Sequence, residues 1–327
     1  ELGSRRVPQI LVNGRLSDRS FASWSKRNYL AEALFENFAH VVAQSELDAE
    51  RFRALGARPV TVSGNLKVDT VPPPVKADDL AQVSAQIGKR PTWAAVSTHD
   101  GEESAAADVH LLLKNRHRDI LTIVVPRHPE RADAIAEHMA SLGLNVARRS
   151  LGDTIGENTD VFLGDTIGEM GLYLRLTEIA FVGRSLTGTG GQNPLEPAML
   201  STAVLSGKNV QNFRDSYQKL AKQGGARFVR DKQVLAGAVN YLLENDAERQ
   251  KMIDAGLQTV EEMRDRRADD LFGAVDGELL GGFELGVLVA LLVDGQVFRD
   301  RGMDHVHVCL GAVGGKVRAV AVEPLAV

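Results

Sequence analysis

Cysteine is almost missing from this chain. A single one, Cys309, occurs in 327 residues, which excludes an internal disulfide framework and any zinc cluster built on cysteines. Long apolar runs are missing as well. The longest, Gly286 to Val293, has eight residues. That is less than half of the ~18 that a membrane-crossing helix needs, and no signal-peptide pattern is present. Positive charge is not in excess: the net charge is −5, which argues against a nucleic-acid binder working by bulk electrostatics. Aromatic residues make up only 5%, against 31 glycines. That balance suits an α/β protein with many tight strand-to-helix turns.

What is present is ordinary for a globular protein. Apolar residues are 44% and charged residues 25%, which excludes wholesale disorder. The length predicts two domains, at roughly 100–200 residues each. The two ends stand apart. The chain opens on Glu-Leu-Gly-Ser-Arg-Arg rather than Met. This reads as the tail of a helix cut open, so a segment ahead of Glu1 is expected. Near residue 271 the helical patterning stops, and residues 271–327 hold ten Gly and twelve Val. Within them His305 and His307 would face the same way on a strand, a spacing open to metal. The plainer reading is a short strand, or sequence foreign to the fold such as an out-of-frame translation.

Residues 9–14 read as a buried strand closed by Asn13-Gly14. Ser17 or Asp18 can cap a helix with Phe21, Trp24, Leu30, Leu34 and Phe38 mostly on one face. A strand at 40–45, a short helix through Phe52 and Leu55 ended by Gly56, and a strand at 60–64 follow. This order predicts parallel strands with right-handed crossovers. Pro72, Pro73 and Pro74 break it, because successive prolines fit neither a helix interior nor a central strand. They mark a domain boundary. From Pro91 a second alternation begins, with strands at 92–97, 121–125, 145–148, 161–164, 179–183 and 203–206. Helices lie between them, and two more, about 231–244 and 246–268, close the domain. The fold class is α/β, with two Rossmann-like doubly wound domains. Ligands are expected at the carboxyl ends of the strands, in the cleft that such domains form.

Four motifs fall at those ends. Ser97-Thr98-His99-Asp100-Gly101-Glu102-Glu103 follows a strand and opens a helix, where hydroxyls and N–H groups can meet an anion. Glu102 and Glu103 suit the first helical turn on capping grounds alone. Pro126-Arg127-His128-Pro129-Glu130 places a forked cation at a strand end, with a surface pair between Arg127 and Glu130 as the bland alternative. Gly164-Asp165-Thr166-Ile167-Gly168-Glu169 opens another helix; the Glu169 carboxylate would repel phosphate and suits hydroxyls or an amine. It echoes Leu151 to Glu157, twelve residues earlier, which lies in a loop. Gly190-Gly191-Gln192-Asn193-Pro194-Leu195-Glu196 lets the backbone approach a ligand and sets a carboxylate where it can accept from a ribose diol. No Gly-Lys-Ser/Thr follows, so this is not a P-loop.

These motifs, with Asn13-Gly14-Arg15-Leu16-Ser17 and Gly64-Asn65-Leu66-Lys67-Val68-Asp69, occur in an order that resembles the Kdo transferases over about residues 7–268. That family transfers 3-deoxy-D-manno-octulosonic acid (Kdo) from CMP-Kdo to the lipid A precursor of lipopolysaccharide. The resemblance implies a GT-B-like fold with the first domain incomplete, and an inverting glycosyltransferase that uses no metal and no cofactor. It implies four divisions. Residues 1–70 form the later half of an acceptor domain and 71–90 a Pro-rich linker. Residues 91–270 form the CMP-Kdo domain, and 271–327 an atypical tail.

It also implies site residues. Lys67 would stabilise the transition state, matching charge that builds on the departing phosphate. Substrate contacts would come from Ser97, Thr98, Pro126, Arg127, His128, Ile167, Gly168, Glu169, Gly190, Gly191, Asn193, Pro194, Leu195 and Glu196. The partners implied are CMP-Kdo, a lipid A precursor such as lipid IVA and, through an anchor ahead of Glu1, the cytoplasmic face of the inner membrane, with no nucleic acid. The family's general-base glutamate would also lie ahead of Glu1. Two further readings stay open: another GT-B enzyme using a UDP-sugar, and a nucleotide-binding module without activity.

Overall fold

The computed structural model describes residues 9–63, 72–276, 288–291, 308–313 and 316–321. The chain divides into two compact units, one of residues 1–70 with 263–327 and the other of 71–262.

The first unit begins with β1 (Gln9–Gly14), α1 (Asp18–Ser25), α2 (Asn28–Phe35), β2 (Phe38–Ala43), α3 (Glu46–Ala54) and β3 (Val60–Val62). Ser17 caps α1 through its hydroxyl, which accepts from the Ser20 N–H at 3.1 Å. One helix is expected here, but two form, broken at Lys26 and Arg27. The stripe that goes inside is Ala31 and Phe35, one turn apart, while Leu30 and Leu34 stay 56% and 40% exposed. Phe38 belongs to β2, not to the helix. Phe35 meets Trp24 and Phe52 edge-on, at 5.8 and 5.5 Å between ring centroids. Phe35 and Phe52 are fully buried, which contributes ~1.5–3 kcal/mol each.

The second unit runs α4 (Ala77–Ile87), β4 (Thr92–Thr98), α5 (Glu102–Lys114), β5 (Leu121–Pro126), α6 (Ala132–Ser141), β6 (Val146–Arg148) and β7 (Val161–Leu163). It continues α7 (Met170–Arg175), β8 (Ile179–Val182), α8 (Leu195–Met199), β9 (Ala203–Ser206), α9 (Arg214–Gln223), β10 (Ala226–Phe228) and α10 (Lys232–Glu244), and ends within α11 (Asp246–Asp276), whose residues from Met263 on belong to the first unit. Three strands in the chain's later part complete the order: β11 (Leu288–Leu291), β12 (Val308–Val313) and β13 (Lys316–Ala321).

Three departures from expectation stand out. The span 71–90 is not all linker: once the prolines end, Asp78 and Asp79 begin α4, which buries Val83 and Ile87. β10 went unread because it has three residues with an exposed Arg227 at its centre. α11 runs to Asp276, past the expected end at 268. β11 pairs in parallel with β1, so the first unit's sheet has the order β11-β1-β2-β3. β12 and β13 form an antiparallel pair. His305 and His307 lie outside the described residues. No helix among the described residues is long and apolar enough to cross a membrane.

The second unit's seven strands are all parallel, in the order β10-β9-β8-β4-β5-β7-β6. All six residues of β5 and all four of β8 and β9 are buried, as a sheet covered on both faces requires. Trp93, Ile120, Val124, Leu163, Phe181 and Leu205 share one core cluster. The chain adds β5 on one side of β4, then returns to add β8 on the other. That reversal at the carboxyl end of β4 is the topological switch point, where a crevice for ligands opens.

Candidate functional site

A cavity of about 460 Å³ occupies that place. Its walls come from the turns after four strands. β4 supplies Ser97, the turn after β5 supplies Arg127 and His128, the turn after β7 supplies Thr166, Ile167 and Gly168, and the segment after β8 supplies Gln192 and Asn193 from its loop and Glu196 from the first turn of α8. Two of these segments bend sharply where they reach the cavity. Ser97 has φ 53 and Gly168 has φ +82; at Gly168 a side chain would be strained by backbone conformation alone.

Arg127 is exposed, and among the described residues no carboxylate lies within ion-pair distance of it. The alternative, a surface pair with Glu130, does not form; Glu130 instead meets His128 at 3.3 Å. The Arg127 backbone is fixed, its N–H donating to Thr98 O at 3.0 Å. An anchored backbone with an unengaged guanidinium is a ready partner for a phosphate. His128 stands edge-on to His99, with 5.4 Å between centroids. The Gln192 side-chain amide forms a hydrogen bond with His99 Nε2 at 3.1 Å. Burial lowers the His99 pKa, Arg184 lowers it further, and Glu102 opposes both. Glu196 is half-buried and accepts a long bond from the Asn193 amide, 3.4 Å. Asn193 Oδ1 also accepts from the Leu195 N–H at 3.1 Å, which starts α8.

Of the residues expected to bind, Ser97, Pro126, Arg127, His128, Ile167, Gly168, Asn193 and Glu196 line this cavity. Five others do not. Thr98 is fully buried, and its hydroxyl donates to Glu103 at 3.0 Å. Pro194 and Leu195 face the interior. Gly190 and Gly191 shape the loop, their N–H groups already given to Gln211 and to Arg184 O, both at 2.9 Å. Glu169 lines a neighbouring cavity of about 640 Å³ with Lys76, Asp79 and Leu172. It is held there by the Arg149 fork, at 3.2 and 2.7 Å, and by the Thr166 hydroxyl. The Arg149 bond holds its carboxyl below the usual range. It is a braced side chain rather than one open to a ligand amine. Lys67 lies outside the described residues. Sequence reading missed Gln192, Thr166 and Met170 as wall residues; the first two sit inside motifs and Met170 directly follows one, and only the fold decides which of these side chains turn inward.

Comparison with known proteins bears on this site. Residues 1–70 match the family model of 3-deoxy-D-manno-octulosonic-acid transferase. A 3-deoxy-D-manno-octulosonic acid transferase of Haemophilus influenzae is 33% identical over 270 residues, 81% of this chain and 63% of that protein. The C-terminal CMP-Kdo binding domain of WaaA from Acinetobacter baumannii is 30% identical, with a TM-score of 0.54. The match covers 56% of this chain and 97% of that one. The chain belongs to the Kdo transferase family. It spans between about half and just under two thirds of the length of the curated relatives it matches. The fold is GT-B-like: Anabaena HepE in complex with UDP superposes with a TM-score of 0.54 at 11% identity. That match covers 84% of this chain and 74% of the other, and at such identity it speaks to fold alone.

Within the second unit, Glu102 and Glu103 are 1% and 3% exposed. Glu103 pairs with Arg131 at 2.9 Å, and Glu102 is engaged by backbone N–H groups. Neither has an oxygen open to an incoming hydroxyl.

Proposed function

We propose that the whole protein transfers Kdo from CMP-Kdo to a lipid A precursor such as lipid IVA at the cytoplasmic face of the inner membrane, and that the second unit holds the CMP moiety in the cavity at the ends of β4, β5, β7 and β8. The observation that carries this reading is the unengaged Arg127 guanidinium at the switch point of a parallel sheet, 30% identical to a CMP-Kdo binding domain. Arg127 receives the phosphate as a fork. The Glu196 carboxylate accepts from the ribose hydroxyls, and Ile167, 88% exposed at the rim, offers an apolar edge to the base.

Transfer is inverting and needs no metal in this account. As the glycosidic bond breaks, negative charge gathers on CMP and is met by Arg127, together with Lys67 by family resemblance. The acceptor hydroxyl must lose a proton to a base. Glu102 and Glu103 are committed to the scaffold, so the base is assigned to a carboxylate outside this cavity.

Hydrogen exchange with and without CMP tests the reading on the chain itself. Protection is expected in the turns 126–130, 166–170 and 192–196. Protection confined to other segments, or none at saturating CMP, would contradict it.

A further inference from the structure

We propose that Glu102 is a positioning residue for the nucleotide site: its buried carboxylate holds the glycine-rich loop after β8 in the shape that presents Gln192, Asn193 and Glu196. The inference rests on the reading of the cavity as a nucleotide site and adds a residue to which that reading gives no task.

Glu102 opens α5, and on sequence grounds it is an ordinary first-turn acid. In the fold its two oxygens accept four backbone N–H groups. Oε2 takes those of His99 at 3.0 Å and Arg184 at 2.6 Å. Oε1 takes those of Ser185 and Leu186, both at 2.9 Å. Three consecutive amides of the loop therefore converge on one side chain about 80 residues away in the chain. Among the described residues no cation pairs with this carboxylate. The amides are what make its burial tolerable, and it in turn satisfies donors that would otherwise be buried without acceptors.

A second observation is independent of these bonds. A Cβ at Gly183 would lie 2.7 Å from Glu102 Oε2 and 2.5 Å from Ser97 O. Only glycine lets the end of β8 approach the carboxylate closely enough for the next three amides to reach it. From there the order is passed along the loop. Ser185 O accepts from Asn209 at 3.0 Å, Arg184 O from Gly191 at 2.9 Å, and the Thr187 hydroxyl ties back to Asp100 O at 2.8 Å. Gln192 then reaches His99, whose own N–H is on Glu102. One carboxylate thus fixes both sides of the cavity wall made by β4 and β8.

Glutamine has the same shape but turns one oxygen into a donor. In Glu102→Gln at least one of the two pairs of amides faces an NH2 group. The experiment uses the full chain with three variants: Glu102→Gln, Glu102→Asp, and Val239→Ala as a core control matched for loss of thermal stability. The readouts are residue-resolved hydrogen exchange and CMP affinity. Exchange at Arg184, Ser185 and Leu186 is expected to rise at least about tenfold in Glu102→Gln while the amides of β4 and β5 keep their protection. The CMP Kd is expected to rise about tenfold. Glu102→Asp keeps both acceptors one methylene short and is expected to show the same pattern more weakly; it carries the test if Glu102→Gln does not fold. Val239→Ala is expected to lower the Tm without touching CMP affinity.

Unchanged exchange at residues 184–186 would overturn the anchoring. An affinity loss no larger than that of Val239→Ala would overturn the positioning role. If the unaltered chain binds no CMP, the nucleotide reading falls and the ligand half of this inference with it, while the exchange data still judge the anchor.

Discussion

Replacing Arg127 by Ala isolates the phosphate contact from everything else the second unit does. The side chain is exposed and has no carboxylate partner among the described residues. Its structural bond, from the backbone N–H to Thr98 O, survives the substitution. Stability should therefore change by no more than about 0.5 kcal/mol, the usual range for a surface position. Binding should change much more. A hydrogen bond to a charged group is worth about 1.5–3 kcal/mol, and a forked arginine–phosphate contact lies in or above that range. That corresponds to a CMP Kd roughly ten- to 150-fold higher. Arg127→Lys keeps the charge and loses the fork, so it should fall between. Calorimetric titration with CMP and with cytidine is the assay, since cytidine lacks the phosphate. The wild-type advantage of CMP over cytidine should shrink in Arg127→Ala and should weaken with added salt, because the site is open to solvent. If CMP and cytidine lose affinity equally, or if CMP affinity changes less than twofold, Arg127 is not the phosphate contact.

Further outcomes follow from packing and charge. Glu169 is held below its ordinary pKa, chiefly by the Arg149 fork. Its contribution to stability is thus complete above the unfolded glutamate value of about 4.3 and is lost as pH falls through the lower folded value. Glu169→Gln should flatten the acid limb of urea-unfolding midpoints measured against pH, and an unchanged limb would refute the pairing. Trp93 is fully buried in the core of the second unit, so Trp93→Ala should cost about 3–5 kcal/mol in urea unfolding. Phe35→Ala should cost a similar ~3–5 kcal/mol, whereas Leu30→Ala, at an exposed position, should stay within about 0.5 kcal/mol. Equal losses at the two positions would restore the single-helix reading of residues 17–38.

The limits of sequence reading show in particular residues. Strand ends were legible because short apolar runs closed by Gly, Pro and Asn leave few other conformations. This put Arg127, Gly168 and Glu196 on turns that converge in space. The direction of a side chain within its turn was not legible. Thr98 looks like its neighbour Ser97, yet one hydroxyl is buried on Glu103 and the other residue reaches the cavity. Glu102 reads as an ordinary first-turn acid and Glu169 as a carboxylate open to a ligand because their partners are distant in the chain: the amides of 184–186 for one, Arg149 for the other. The 17–38 segment misled for a different reason. Its leucines satisfy helical periodicity, but the pair that the core accepts is Ala31 and Phe35, and a break at Lys26 and Arg27 resets the face. α4 was hidden by three prolines that end just before its first turn.

The central claim is that this cavity reads cytidine monophosphate, as the family's donor requires, rather than the uridine diphosphate that other GT-B proteins bind. Competition calorimetry with CMP, UDP and GDP on the same sample tests it most directly. The account predicts saturable CMP binding that neither UDP nor GDP displaces at equal concentration. Displacement of CMP by UDP, or saturable UDP binding with none for CMP, would contradict it.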